Sequence, residues 1–270
     1  MSYVERIVPG QPEWNGYIAG HRHRYRFAAA QFVRGTRVLD AGCGVGYGSR
    51  MLADAGATEV IAVDISGVAL EEARQRFGHP GVSFVQDNCE TLTQVTGPFE
   101  TIVAFESLEH FHEPEAFLKR VVDLLSPDGV FICSVPNSLV FLPDSNGRPQ
   151  NPFHEKEYTP DELGKLLSGH FEAVTLMAQH LTAAYKMAKQ SALLWANPLF
   201  RLGNLFQALW GHKLRWNPPV AECTEADYVM REDDLNAAEV LVGVCRCPRP
   251  TEKQSMQDSE SKQVSVPAKR

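Results

Sequence analysis

One stretch constrains this chain more than any other: Thr36-Arg-Val-Leu-Asp-Ala-Gly-Cys-Gly-Val-Gly-Tyr-Gly48. A short apolar strand ends in an acid, Asp40. Glycines then recur at every second position, 42, 44, 46 and 48, and a helical pattern runs from Ser49 to Ala55. Glycine has no Cβ, so such a turn bends sharply and lets a ligand touch the backbone. A helix N-terminus just beyond adds N–H groups without intrahelical partners and a positive potential. Strand, glycine turn and helix together describe a cofactor cradle.

The flanking pattern builds a sheet around that cradle. Val38-Leu39, Val60–Asp64, Val82–Val85, Thr101–Phe105 and Val130–Cys133 read as strands. Between them, Val68–Phe77 carries an inward stripe of Ala69, Ala73 and Phe77. Pro114–Leu125 places Phe117, Leu118, Val121, Val122 and Leu125 on one helical face, and Ser126-Pro-Asp-Gly129 breaks it. Strands apolar on both faces belong in a parallel sheet covered by helices. Phe171–Met177 and Ala238–Cys245 bring the count to seven. Ahead of the sheet, residues 1–16 form an arm with breakers at Pro9, Gly10 and Pro12. Gly20–Val33 predicts a helix with Tyr25, Ala28, Ala29 and Phe32 on one face. Thr159-Pro-Asp-Glu162 predicts a capped helix start. Residues 183–230 are expected as a helical insertion between strands six and seven, and 248–270 as a disordered tail. A single domain spans 1–247.

With 270 residues, 44% of them apolar, the chain is long enough for one sizeable core. Its formal net charge of -7 speaks against nucleic acid as a partner; the one basic run, His21-Arg-His-Arg-Tyr-Arg26, is short. Six cysteines include no CxxC, so neither a disulfide framework nor a metal centre is expected. Met1–Gly10 has no apolar signal core and no apolar run reaches membrane length, which makes a reducing cytoplasm the expected location.

The spacing within the turn selects the ligand. A dinucleotide fingerprint needs G-x-G-x-x-G, and both frames fail, at Tyr47 and at Ser49. No Gly-Lys-Ser/Thr follows, so a phosphate-cradling P-loop is excluded as well. Asp40, ahead of the turn, would repel a pyrophosphate and attract an ammonium group, directly or through water. Asp64 closes the second strand, where an acid accepts hydrogen bonds from both ribose hydroxyls. An adenosine ligand with an ammonium tail and no phosphate fits both acids, and S-adenosylmethionine has that description.

The motifs also carry a family resemblance. Val38-Leu-Asp-Ala-Gly-Cys-Gly-Val-Gly46 resembles motif I of the class I S-adenosylmethionine-dependent methyltransferases, and Val63-Asp64-Ile-Ser66 is similar to motif II. Phe105-Glu-Ser-Leu-Glu-His110 and Leu125–Asn137 are similar to the later motifs. The resemblance covers about residues 35–180. It implies a Rossmann-like α/β fold with a seven-stranded mixed sheet in the order 3-2-1-4-5-7-6, strand seven antiparallel. It implies that Gly42 and Gly44 approach the cofactor's amino-acid end and Asp40 its ammonium, while Asp64 holds the ribose and Ile65 lies against the adenine. Where the family often has Gly-Asp after strand three, this chain has Asp87-Asn88-Cys89; Asn88, in register with Cys89, takes the acid's place, and Asp87 is the competing residue. Glu106 would line the methionine side.

Trp14, the His21–Phe27 segment, the Val45–Gly48 turn and Asn151-Pro-Phe-His154 further resemble methyltransferases encoded with bacterial surface-polysaccharide enzymes. That implies a sugar or glycan hydroxyl acceptor, with Tyr25 and Arg24 near the cofactor's carboxylate. A hydroxyl acceptor needs its proton removed, and the candidates for that task are His154 and His110. Methylation of a small metabolite, such as a quinone-like or polyketide-like phenol, fits the same motifs. The aromatic stretch 183–216 suits core packing, a lid, a dimer face or contact with a membrane surface.

Overall fold

In the computed structural model the described residues are 15–141, 147–187 and 223–250. In chain order the strands are β1 (Arg37–Ala41), β2 (Glu59–Asp64), β3 (Val82–Gln86), β4 (Phe99–Phe105), β5 (Leu125–Pro136), β6 (Phe171–Leu181), β7 (Tyr228–Arg231) and β8 (Val240–Pro248). The helices are α1 (Asn15–Ala28), α2 (Tyr47–Asp54), α3 (Gly67–Phe77), α4 (Pro114–Leu124) and α5 (Pro160–Ser168). The strands make a single sheet in the order β3-β2-β1-β4-β5-β8-β6-β7. β1 to β5 pair in parallel, and β8 runs antiparallel between β5 and β6.

Both faces of the sheet are covered, as the two-sided apolar strands require. On one face Phe99, Phe117, Leu118, Phe131, Leu163 and Phe171 are fully buried, and the Phe131 and Phe171 rings stack with centroids 5.7 Å apart. On the other, Tyr25 and Ala28 of α1 and Leu52 of α2 pack on Val38, Val60 and Val103. The capping box forms as the sequence predicts: Glu162 N donates to Thr159 Oγ1, and Thr159 N to the Glu162 carboxylate. Cys245 is buried and Cys247, whose backbone turns to φ +54°, is exposed.

The sheet has eight strands rather than the seven expected. The order 3-2-1-4-5-7-6 survives, with β8 in the place of strand seven. The added strand is β7, which begins inside the span 183–230 expected to be helical. Tyr228–Arg231 pairs antiparallel with Ala178–Leu181 on the edge of β6 opposite β8, and so gives the backbone groups of that edge partners. Two boundaries also shift. Ser126-Pro-Asp-Gly129 lies within β5 as a bulge between the pairings Phe99–Leu125 and Thr101–Val130. The first helix begins at Asn15, ahead of Gly20, and ends in a π-helical turn, Ala29–Val33. Pro248, expected in the tail, closes β8 opposite Phe171.

Other expectations meet the limits of the described residues. Trp14 with the arm 1–14, residues 188–222 with most of the aromatic stretch, and 251–270 lie outside them; residues 183–187 are helical. Among the described residues no helix is long and apolar enough to cross a membrane. The basic run of α1 is engaged within the molecule. Arg22 and Arg26 pair with Glu225 at 2.7 and 2.6 Å, and Arg24 donates to Gln179 at 2.6 Å.

α1 meets α2 at one tight point. A Cβ on Gly48 would fall inside the van der Waals radius of the Tyr25 ring. Gly48→Ala is therefore expected to destabilise the protein by about 1–3 kcal/mol through overpacking, although Ala is worth about 1 kcal/mol more than Gly in a helix. A denaturant titration checks this; equal or greater stability in the variant would mean that the ring is not lodged there.

Candidate active site

The C-terminal ends of β1, β2, β4 and β5 converge on one edge of the sheet, where ligands of open α/β folds bind. Gly42 N and Cys43 N both donate to Val63 O, at 2.8 and 2.9 Å, which ties the turn after β1 to the end of β2. Asp64 reinforces the tie: Oδ2 accepts from Gly44 N at 2.9 Å and Oδ1 from Ser66 N at 2.8 Å. Gly44 adopts φ +54°, and among the described residues nothing lies within 4 Å of where its Cβ would be. A side chain there would be strained and would fill the open space, so glycine leaves a bare backbone surface. Ile65, next along, is 62% exposed and presents an apolar side chain at the same edge.

Behind the turn, Asp40 is fully buried. Its Oδ1 accepts from the Tyr25 hydroxyl at 3.0 Å and its Oδ2 from Ser49 Oγ at 2.6 Å. Burial pushes its pKa up to about 6, with the two hydroxyl hydrogen bonds opposing the rise and Asp64 adding to it. Burial, with Asp40 beside it, likewise pushes the Tyr25 phenol up. His21, buried next to Arg24, is held well below the usual imidazole range, and its Nδ1 lies 2.5 Å from the Tyr47 hydroxyl.

After β4, Glu106 takes a left-handed backbone conformation, φ +51°, which costs a non-glycine residue about 1–2 kcal/mol. Ser134 of β5 stabilises it. Glu106 N donates to Ser134 O at 3.0 Å, and Ser134 Oγ donates to Glu106 Oε1 at 2.7 Å. Arg24 Nη2 stands 3.5 Å from the same oxygen. The next residues, Leu108–His110, form a 3₁₀ turn that the loop after β5 meets. Phe153 O lies 3.0 Å from His110 Nδ1, and Glu155 N and Lys156 N donate to Glu109 O. This brings the His110 and His154 rings together, centroids 4.9 Å apart. His154 Nδ1 is 2.8 Å from Glu157 Oε1, and its Nε2 is 2.9 Å from Asn151 Nδ2.

The residues singled out in the sequence therefore divide into two groups. Asp40, Gly42, Gly44, Asp64, Ile65 and Glu106 gather at the turn and the adjoining strand ends, and His110 and His154 meet beside them. Three others are engaged differently from the expectation. The Tyr25 hydroxyl, expected near a cofactor carboxylate, is buried against Asp40. The Asn88 side-chain carbonyl accepts from Glu90 N at 2.9 Å, and Asp87 accepts from Asn88 N, Thr93 Oγ1 and Gln94 N, so both shape the loop after β3. The Cys89 side chain is buried in the core, its thiol pushed up to about 12 by burial. Sequence reasoning assigned no part to Ser49, Ser134, Glu109 or Glu157. The i, i+3 spacing of His154 and Glu157 is the one signal that could have paired them.

The chain is similar to several known proteins. Residues 38–129 match the family described as "Methyltransferase domain". A protein of Mycolicibacterium smegmatis described as a probable S-adenosylmethionine-dependent methyltransferase is 34% identical over 163 residues, covering 60% of this chain and 62% of that one. A ubiquinone biosynthesis O-methyltransferase of Dinoroseobacter shibae is 31% identical over 153 residues, covering 50% and 58%. The crystal structure of an S-adenosylmethionine-dependent methyltransferase from Mesorhizobium loti superposes with a TM-score of 0.55, at 19% identity, covering 86% of this chain and 98% of that one. Residues 38–129 are thus similar to methyltransferase domains, the chain shares its fold with a methyltransferase structure, and the Mycolicibacterium relative is described as S-adenosylmethionine-dependent. The chain spans about three fifths of the length of the curated relatives it matches.

Asp40 makes a pH prediction. Its folded-state pKa, about 6, lies above the ordinary 3.8, so the folded protein binds this proton more tightly than the unfolded chain. The stability it contributes is complete below about pH 4 and is lost as pH rises through 6, by roughly 3 kcal/mol in all. The difference in unfolding free energy between ligand-free wild type and Asp40→Asn should change across that window. Parallel pH profiles for the two proteins would refute the assignment.

Proposed function

We propose that this chain transfers the methyl group of S-adenosylmethionine to a hydroxyl of a sugar or glycan. The observation that carries the proposal is His154, which is half-buried, fixed by Glu157 and set in a ring pair with His110. The cofactor supplies a methyl group on a sulfonium, a carbon already activated for in-line displacement. What remains for the protein is to bind both partners, align them and exclude water.

The residues of the turn fit that cofactor. The open backbone at Gly44 admits a ligand, and the Asp64 carboxylate beside it keeps acceptor capacity for ribose hydroxyls. Both oxygens of Asp40 are engaged, so Asp40 would act on an ammonium group through its field. Arg24 Nε is buried without a partner among the described residues, an orphan donor suited to a carboxylate.

On the acceptor side, a hydroxyl is a poor nucleophile until its proton leaves. Glu157 accepts from His154 Nδ1–H, which leaves the lone pair on Nε2, the nitrogen that faces Asn151. A carboxylate that orients an imidazole in this way suits proton removal from a hydroxyl, whereas a thiol or amine acceptor would need positioning alone. The surrounding Asn151, His110 and Glu157 offer the polar contacts that a sugar ring requires. A phenol of a small metabolite is the second reading. Leu139, Val140, Phe141 and Phe153, each 37–45% exposed, lie on the same loop after β5, and the Dinoroseobacter relative bears the name of a ubiquinone O-methyltransferase.

S-adenosylhomocysteine should raise the melting temperature of the protein, and Asp64→Asn should weaken its binding by about ten- to a hundredfold through loss of charged hydrogen bonds. No shift at saturating ligand would refute methyl transfer. His154→Ala should lower turnover about 10²–10⁴-fold while leaving S-adenosylhomocysteine affinity unchanged. Assayed with monosaccharide and catechol acceptors side by side, turnover confined to catechols would select the second reading.

A further inference from the structure

Methyl transfer as proposed makes no use of Glu109, and Glu109 is the most anomalous side chain at this edge. It is 1% exposed, and among the described residues neither carboxylate oxygen has a hydrogen-bond partner. Burying an ionised carboxylate in this way carries a penalty of several kcal/mol unless a cation compensates it. Burial and the neighbouring Glu106 both push its pKa well above the usual carboxylate range. Ligand atoms of Glu109, His110 and His154 all lie within 4.8 Å of one another.

Two features of the histidines point the same way. Phe153 O can only accept, so His110 Nδ1 must carry the proton and its Nε2 the lone pair. Glu157 fixes His154 in the same tautomer. Each imidazole is thus held by a backbone carbonyl or a carboxylate on its far nitrogen, which is how metal-binding histidines are commonly oriented. Backbone hydrogen bonds from Glu155 and Lys156 to Glu109 O lock the two loops together, so the three side chains are brought near one another before any ligand arrives. Glu106 stays outside the set, its Oε1 engaged by Ser134 and Arg24.

We infer that Glu109, His110 and His154 form a binding site for a divalent cation of the Mn²⁺ or Zn²⁺ type. Two imidazoles and a carboxylate suit these ions, whereas Mg²⁺ and Ca²⁺ favour oxygen ligands. Three protein ligands leave coordination positions open. On cation entry the Asn151 amide gives up its place at His154 Nε2. Cysteine spacing, on which the expectation of no metal centre rests, is silent about a set drawn from residues 109, 110 and 154. The role of the cation rests on the hydroxyl methylation proposed above. An acceptor hydroxyl bound at an open position would have its pKa lowered and release its proton to solvent, and His154 would then be a ligand rather than the base.

The test is calorimetric titration of the chelator-stripped full chain with MnCl₂, ZnCl₂ and MgCl₂, beside a thermal-shift measurement with S-adenosylhomocysteine. Wild type should bind one Mn²⁺ or Zn²⁺ per chain. Glu109→Gln and His110→Ala should each weaken that binding by about tenfold or more, while keeping the S-adenosylhomocysteine shift as proof of folding. Metal-free Glu109→Gln should melt at or above wild type, because it removes a buried ionisable group whose oxygens have no partner among the described residues. Absence of stoichiometric Mn²⁺ and Zn²⁺ binding, or unchanged affinity in Glu109→Gln, would overturn the inference. A retained S-adenosylhomocysteine shift without cation binding would overturn it alone and leave methyl transfer standing. Cation binding with no such shift would support the site and count against methyl transfer.

Discussion

A buried carboxylate held by two hydroxyls organises the cofactor edge of this protein. Asp40 ends β1, Tyr25 reaches it from α1 and Ser49 from α2, so one side chain joins the first strand to both helices on its face of the sheet. Either hydroxyl alone would leave a carboxylate oxygen buried without a partner, an arrangement that costs more than the hydrogen bond itself contributes. The Tyr25 ring in turn occupies the space that Gly48 leaves. The alternate glycines of the turn thus answer to different demands: Gly44 leaves backbone open to a ligand, and Gly48 admits a ring from inside the protein.

The Asp40 contacts also set the position of α1. Arg24 sits one residue before Tyr25 and reaches Gln179 of β6 on one side and Glu106 on the other. β6 lies far from β1 in the sheet order, so α1 crosses from one half of the sheet to the other. Glu106 completes the connection through Ser134 of β5 and accepts a left-handed backbone to do so. The histidine cluster begins three residues later, so the cofactor side and the acceptor side are positioned by the same short segment after β4.

The features legible in the sequence are those carried by local pattern. Strands apolar on both faces, the box Thr159–Glu162 and the glycine turn each depend on neighbours a few residues away. β7 was not legible because four alternating residues have no signature of their own; their partner, the edge of β6 away from β8, is supplied by the tertiary fold. The bulge at 126–129 was hidden for a related reason: Ser-Pro-Asp-Gly breaks a helix and loops out of a strand equally well. At the site, Asp40, Gly44 and Asp64 lie within one strand–turn–strand unit and could be read together. Glu109 and Glu157 gain their meaning from the meeting of two loops that are more than forty residues apart in the chain, joined through His110 and Phe153. The Tyr25 hydroxyl was legible as a member of a helix face, but its partner was set by the tertiary approach of α1 to β1.

The pairing of β7 on β6 has a consequence at the margins of the sheet. Strand edges are templates on which other chains can assemble, and proteins blunt them. Here β7 ends one side with only four residues, followed by the charged pair Arg231–Asp233. At the opposite side, the outward carbonyl of Phe84 in β3 is taken by the Arg74 guanidinium of α3 at 3.0 Å. Among the described residues both margins are short strands, β7 of four residues and β3 of five, so each offers only a short ladder to an added strand.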